Sequence, residues 1–144
     1  MTGNDSVSII IPARNEEECL PLVLRDLEKT IKQLKKRRVE IIVIDDGSTD
    51  KTYQVAKQFT SIRVVQNHGK HGKGNALKRG FEEAKGDIII MLDADYSHIT
   101  DDIPAFIRKI EEGTMLVIGS RHLGGSDEYS ELRGMGNYLL TRAF

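Results

Sequence analysis

Short apolar runs alternate along the chain with longer amphipathic stretches. The runs are rich in β-branched residues, which predicts buried strands at 7–11, 39–44, 62–65, 88–92 and 115–119. The stretches between them have apolar residues at helical spacing, which predicts helices at 20–34, 51–59, about 75–85 and 101–112. This order predicts an α/β fold in which helices cover both faces of a mostly parallel sheet.

The helix boundaries are predicted from local capping signals. Asn15, with Glu18 three residues later, predicts the N-cap of the first helix. Gly86 predicts the C-terminal stop of the third helix. The end of the chain, which includes NYLLTRAF at 137–144, is predicted to be helical.

Composition narrows the class of protein. A chain of 144 residues predicts one domain over 1–144, and a net charge of −1 gives no overall field that would attract nucleic acid. The single cysteine, Cys19, excludes an internal disulfide and is typical of a reducing compartment. We find neither a signal peptide nor an apolar run near the roughly 20 residues of a membrane span. We therefore expect a cytoplasmic protein, with peripheral contact to the cytoplasmic membrane face left open.

Polar residues collect where the predicted strands end. Pro12 to Glu16 follow the first strand, Asp45 and Asp46 the second, Asp93 and Asp95 the fourth, and Ser120 and Arg121 the fifth. Ligands bind at the carboxyl ends of the strands in such sheets, so these turns predict one common site.

The acidic pair of MLDADYSH is the most informative of these groups. If the chain stays extended, Asp93 and Asp95 point to the same side and can hold one Mg²⁺ or Mn²⁺. Such an ion keeps most of its waters, so we expect it to bind mainly when a nucleoside diphosphate supplies further oxygens. The alternative is a plain turn, because aspartate is common where strands end.

Two further segments carry candidate chemistry. Asp46 in DDGSTD can accept a hydrogen bond from a nucleobase or a ribose, whereas Gly47 and Ser48 are interpreted as turn-formers. The loop GKHGKG at 69–74 departs from the nucleotide-triphosphatase phosphate-loop pattern, although Lys70 and Lys73 beside a helix start can meet an anion.

Five ordered segments together resemble the family-2 glycosyltransferases with a GT-A fold, a Rossmann-like nucleotide-binding fold. They are IIPARNEE, VIDDGSTDKT, GKGNALKRGFEEAKGD, LDADYSH and IGSR. The resemblance is strongest to the branch that contains dolichol-phosphate mannosyltransferase and the related polyprenyl-phosphate glycosyltransferases.

The resemblance implies a role for each matching residue. Binding of the nucleotide-sugar is implied for Pro12, Arg14, Glu16, Ile44, Asp46, Asp93, Ala94, Arg121 and Arg133. Metal binding is implied for Asp93, Asp95 and, more weakly, Ser97, and direct participation in catalysis for Asp95 and Arg121.

The implied reaction is an inverting transfer from a nucleotide-sugar, such as GDP-mannose or a UDP-sugar, to a polyprenyl or dolichyl phosphate. A phosphate acceptor is already ionised near neutral pH and needs no general base. Family domains continue beyond the point where this sequence stops, so we expect that part of the acceptor side is missing and that the chain transfers sugar poorly.

Three alternative functions are also compatible with the sequence. The chain can be a nucleotide-binding module without transfer activity. It can be a phospho-acceptor receiver domain, because Asp45, Asp46 and Asp93 resemble the acidic pair and the later aspartate at the strand ends of such a domain. It can also be a phosphatase of the haloacid-dehalogenase type, which carries a D-x-D motif after its first strand, whereas here the motif follows the fourth.

Overall fold

The computed structural model describes residues 6–34, 36–119 and 139–142. The strands are β1 (Ser6–Ala13), β2 (Arg38–Asp45), β3 (Ile62–Gln66), β4 (Ile88–Met91), β5 (Leu116–Val117) and β6 (Leu139–Arg142). The α-helices are α1 (Leu20–Ile31), α2 (Thr52–Lys57), α3 (Lys73–Glu83) and α4 (Ile103–Glu111), and short 3-10 helices cover Lys32–Leu34 and Thr100–Asp102. None of the α-helices among these residues is long and apolar enough to cross a lipid bilayer.

The strands form one sheet in the order β3-β2-β1-β4-β6-β5. The first four of these are parallel, whereas β6 runs antiparallel to both β4 and β5. β1 lies in the middle, with β2 on one side and β4 on the other, so the strand order reverses at β1. A crevice forms at such a reversal point, outside the carboxyl ends of the strands.

The two faces of the sheet pack against different helices. Successive side chains of a strand point to opposite faces, so Ile9 and Ile11 of β1 join one core while Ile10 joins the other. The larger core also contains apolar residues of α1, α2 and α4, and the smaller core contains Ala76 of α3. The predicted sheet with helices on both faces is confirmed.

Gly86 packs against β1 and does not end a helix. Helix α3 already ends at Glu83, and the amide of Gly86 donates to the buried Ser8 Oγ at 2.8 Å. A Cβ atom on Gly86 would lie 2.5 Å from the amide nitrogen of Ser8, which is closer than real Cβ contacts. The prediction that Gly86 is a helix stop was therefore wrong, because the close approach of two backbones requires the glycine.

Three other local predictions were wrong. Helix α1 begins at Leu20, with Cys19 as its N-cap, and not at Asn15. The strand predicted at 115–119 has only two residues in β5, and Met115 and Ile118 beside it are 60% and 48% exposed. Leu139–Arg142, predicted to be helical, is strand β6. Pairing with β4 outweighs the weak local preference of this segment.

Candidate functional site

The turns after β1, β2 and β4 meet at the carboxyl edge of the sheet. They enclose a cavity of about 370 Å³. The lining residues come from these turns and from the start of α3, and they are Pro12, Ala13, Arg14, Glu16, Asp46, Gly72, Lys73, Ala76, Asp93, Ala94 and Asp95. The structure thus brings together seven of the residues for which the resemblance implies a binding or metal role, because parallel strands present their carboxyl ends at one edge.

Asp93 is held by two nitrogen-bearing side chains. Lys73 Nζ lies 2.5 Å from Asp93 Oδ1, and Nε2 of the buried His98 lies 3.1 Å from Oδ2. The contact with His98 first, and then the ion pair with Lys73, lower the pKa of Asp93 to about 2, against the effect of burial. The carboxylate is therefore ionised throughout the neutral pH range.

Asp95 lies on a bend and not on an extended strand. Strand β4 ends at Met91 and the chain bends at 94–96, so the chain is not extended through the acidic pair, as the prediction had assumed. The amide of Ser97 donates to Asp95 Oδ1 at 3.0 Å, and Tyr96 Oη donates to Asp26 Oδ2 in α1 at 2.7 Å. The bend itself is thus fixed, and it turns both carboxylates toward the cavity.

The donor atoms of this acidic pair fit a hard divalent cation. Carboxylate oxygens are the ligands that Mg²⁺ and Mn²⁺ prefer, and the ammonium of Lys73 beside Asp93 shows that a positive charge is accepted there. Within the described residues, no group of three or more His, Cys, Asp or Glu side chains is placed to hold a metal ion. An ion at Asp93 and Asp95 would therefore need further oxygens from a ligand.

Asp46 holds the loop at 69–74 in place, which we call the glycine-rich loop. It is only 3% exposed and accepts hydrogen bonds from Asn67 Nδ2 at 2.7 Å and from the amide of Gly72 at 2.6 Å, with His71 Nδ1 at 3.3 Å. Burial raises the pKa of Asp46, but the bonds from Gly72 and Asn67 outweigh burial, and the pKa is lowered. The sequence did not reveal this role, because nothing in the spacing of Asp46 and Asn67 links the two residues.

Two turns at the site hold each other by reciprocal hydrogen bonds. The amide of Asn15 donates to Ser48 Oγ at 3.1 Å, and Asn15 Oδ1 accepts from the amide of Thr49 at 2.8 Å. The amide of Lys51 donates to Glu17 Oε2 at 2.8 Å. Asn15 has a φ of 55°, which asparagine tolerates better than most residues. Asn15 therefore joins two turns where the sequence predicted a helix cap.

Glu16 adds a further carboxylate to the site. Its pKa is raised, first by burial and then by the negative charges of Asp95, Asp50 and Asp93. The turns around the cavity thus concentrate negative charge, which favours the binding of cations there.

Two of the expected binding or metal residues do not line this cavity, and two others cannot be placed. Ile44 is completely buried in the smaller core, so its side chain does not face the cavity. Ser97 lines a neighbouring cavity with Tyr96 and not the cavity of the acidic pair. Arg121 and Arg133 lie outside the described residues.

We predict that Asp46→Ala weakens the binding of a nucleoside diphosphate by about 1–3 kcal/mol, through a lost hydrogen bond to the ligand and a loosened loop. Calorimetry with UDP and GDP measures the loss. Asn67→Ala loosens the same loop but keeps the carboxylate, so it should have a smaller effect. Wild-type affinity in a folded Asp46→Ala variant would contradict a role of Asp46 in binding.

The sequence of the chain is similar to those of known glycosyltransferases. The family model described as "Glycosyl transferase family 2" matches residues 8–142. The chain is 36% identical to a dolichol-phosphate mannosyltransferase from Pyrococcus furiosus, over 94% of this chain and 40% of that protein. It is also 36% identical to an undecaprenyl-phosphate 4-deoxy-4-formamido-L-arabinose transferase from Pseudomonas fluorescens, over 95% of this chain and 41% of that protein. The chain thus spans about two fifths of the length of these curated relatives.

A solved structure has the same fold. Glucosyl-3-phosphoglycerate synthase from Mycobacterium tuberculosis, determined with Mn²⁺, UDP-glucose and phosphoglyceric acid, superposes with a TM-score of 0.72 at 25% identity. The match covers 96% of this chain and 57% of that one. It confirms the expected fold class, a nucleotide-binding α/β sheet of the GT-A type.

Proposed function

This chain belongs to glycosyltransferase family 2, and on that premise we propose that it transfers a sugar from a nucleotide-sugar donor to a polyprenyl phosphate. The observation that carries the proposal is the cavity at the carboxyl edge of the sheet, which Asp46, Asp93 and Asp95 line together. The same observation disfavours a receiver domain, which has no use for Glu16 or for a second carboxylate at Asp95.

Asp93 and Asp95 would hold Mg²⁺ or Mn²⁺, and the donor's diphosphate would bind beside them. When bound, the metal offsets the negative charge that develops on the departing nucleoside diphosphate. The mycobacterial synthase solved with Mn²⁺ and UDP-glucose supports a divalent metal. Ser97 remains a weaker candidate, since its side chain does not line this cavity.

The chain's own residues would orient the donor. Contact with the nucleoside is proposed for Pro12, Arg14, Glu16 and Asp46, which line the cavity together with Ala94. By the resemblance, Arg121 would meet the donor's phosphates and share the catalytic role with Asp95, and Arg133 would supply a second positive charge. Ile44 keeps a proposed role only through its backbone or through a local movement, because its side chain is buried.

The acceptor is proposed from the names of the relatives, which transfer sugars to dolichyl or undecaprenyl phosphate. A lipid phosphate oxygen is ionised at neutral pH, so it can attack the sugar without a protein base. One such displacement inverts the configuration of the sugar carbon. The lipid would place the reaction at a membrane surface.

Two measurements test the proposed function. Calorimetry with UDP and GDP, with and without Mn²⁺, should show binding that depends on the metal. Incubation with radiolabelled UDP-glucose or GDP-mannose and polyprenyl phosphate tests the transfer step itself, whose product is a labelled glycolipid. Failure to bind either nucleotide in the presence of Mn²⁺ would contradict the proposed function.

A further inference from the structure

The ion pair between Lys73 and Asp93 joins an exposed side chain to a largely shielded one. The side chain of Lys73 is 59% exposed, whereas that of Asp93 is 21% exposed, and Nζ lies 2.5 Å from Oδ1. A long, solvated side chain therefore reaches into the cavity, and it can leave again without unfolding the helix that carries it.

Both oxygens of Asp93 are engaged by nitrogen atoms. Oδ2 lies 3.1 Å from Nε2 of His98, whose side chain is only 3% exposed and is therefore held in place. Oδ1 contacts the ammonium of Lys73. A cation that approaches Asp93 from the cavity must therefore compete with the ammonium, because the imidazole side is closed.

The glycine-rich loop sets the position of Lys73. Lys73 is the first residue of α3, and the amide of the preceding Gly72 donates to Asp46 Oδ2 at 2.6 Å. Asn67 Nδ2 donates both to Asp46 Oδ1 and to the carbonyl oxygen of Lys70, which ties the start of the loop to its middle. The backbone that precedes Lys73 is therefore held in place, and Lys73 can release Asp93 by a movement of its side chain alone.

The charges around the cavity explain why an ammonium is held there. Burial and then the negative charges of Asp95, Asp50 and Asp93 raise the pKa of Glu16, so Glu16 lies close enough to each of these carboxylates to be repelled by it. A positive charge at Asp93 relieves this repulsion whenever no metal ion is bound.

We propose that Lys73 is an internal competitor for the divalent metal, whose ammonium neutralises Asp93 in the metal-free protein and must leave Oδ1 before a metal ion binds there. This inference rests on the proposed function, because it assumes that Asp93 and Asp95 hold the ion. It predicts that metal affinity is low in the free protein and rises when a nucleoside diphosphate adds further oxygen ligands.

The test is a Mn²⁺ titration of the nucleotide-free protein, followed by the electron paramagnetic resonance signal of unbound Mn²⁺. Lys73→Met keeps the length of the side chain but removes its charge, and it should bind Mn²⁺ more tightly than the wild type by up to about fivefold, the most that an exposed ion pair contributes. Lys73→Arg keeps the charge and should bind Mn²⁺ as weakly as the wild type. Lys70→Met makes the same charge change on the same loop and should change the affinity little.

Unchanged or weaker Mn²⁺ binding by Lys73→Met would overturn the inference. An equal gain in Lys70→Met would also overturn it, because the effect would then be one of general charge. The same titrations repeated with UDP and GDP test the proposed function separately, through nucleotide-promoted Mn²⁺ binding by the wild type. Thermal melting identifies a variant that does not fold, in which case Lys73→Gln replaces Lys73→Met in the same comparison.

Discussion

Asp95→Asn is expected to weaken the Mn²⁺-dependent binding of UDP or GDP at least about 100-fold, because changing only an outer partner of a metal site already costs about 10–100-fold in affinity. Asparagine keeps an oxygen that can accept the hydrogen bond from the amide of Ser97, so the bend should persist. It removes the negative charge that a divalent ion requires. Calorimetry at saturating Mn²⁺ measures the loss.

Asp102→Asn is the matched control for this experiment. Asp102 is an exposed carboxylate on the short helix Thr100–Asp102, and the substitution makes the same change of charge outside the cavity. Nucleotide affinity should be unchanged in this variant. Wild-type affinity in Asp95→Asn, or an equal loss in Asp102→Asn, would contradict the assignment of Asp95 as a metal ligand.

Gly86→Ala is expected to destabilise the fold by about 3 kcal/mol, at the upper end of what overpacking usually costs. The added methyl group would lie 2.5 Å from the amide nitrogen of Ser8 and 2.7 Å from the carbonyl carbon of Val7, so it meets backbone that cannot rotate away. Relief requires the two chain segments to separate, which lengthens the hydrogen bond from Gly86 to the buried Ser8. Thermal unfolding should show a melting temperature lower by roughly 10 °C.

Gly74→Ala is the control for Gly86→Ala, since it adds the same methyl group where no other atom lies within 4 Å. Gly74 is the second residue of helix α3 and does not need the positive φ that favours glycine, so stability should stay equal or increase slightly. A melting temperature of Gly86→Ala equal to that of the wild type would show that the backbones can separate without loss.

Strands and helices were predicted best where buried apolar residues recur at a regular spacing along the chain. The second predicted strand, 39–44, differs from β2 by one residue at each end. In α4, the predicted apolar face is confirmed, with Ile103, Ile107 and Ile110 buried. Prediction failed at Asn15, because bonds to a distant turn outweigh a local capping signal, and at β6, because pairing with β4 decides its conformation.

The place of the candidate site followed from the sequence, but its internal contacts did not. Parallel strands bring Asp46 and Asp93 to one edge, and this needs no knowledge of the loops. The contacts of Asp93 with Lys73 and His98 depend on the paths of two loops, which no periodic pattern records. His98 in particular stands in a polar segment and gave no sign that it is buried.

The reciprocal hydrogen bonds between the turns that carry Asn15 and Thr49 order both turns before a ligand binds. Ordering a backbone residue costs about 1–2 kcal/mol, and for these turns that loss occurs during folding. It does not recur when a nucleoside arrives, so binding is opposed mainly by the ordering of exposed side chains such as that of Arg14, at about 0.5–1.5 kcal/mol each. The nucleoside side of the cavity is therefore rigid before any ligand enters.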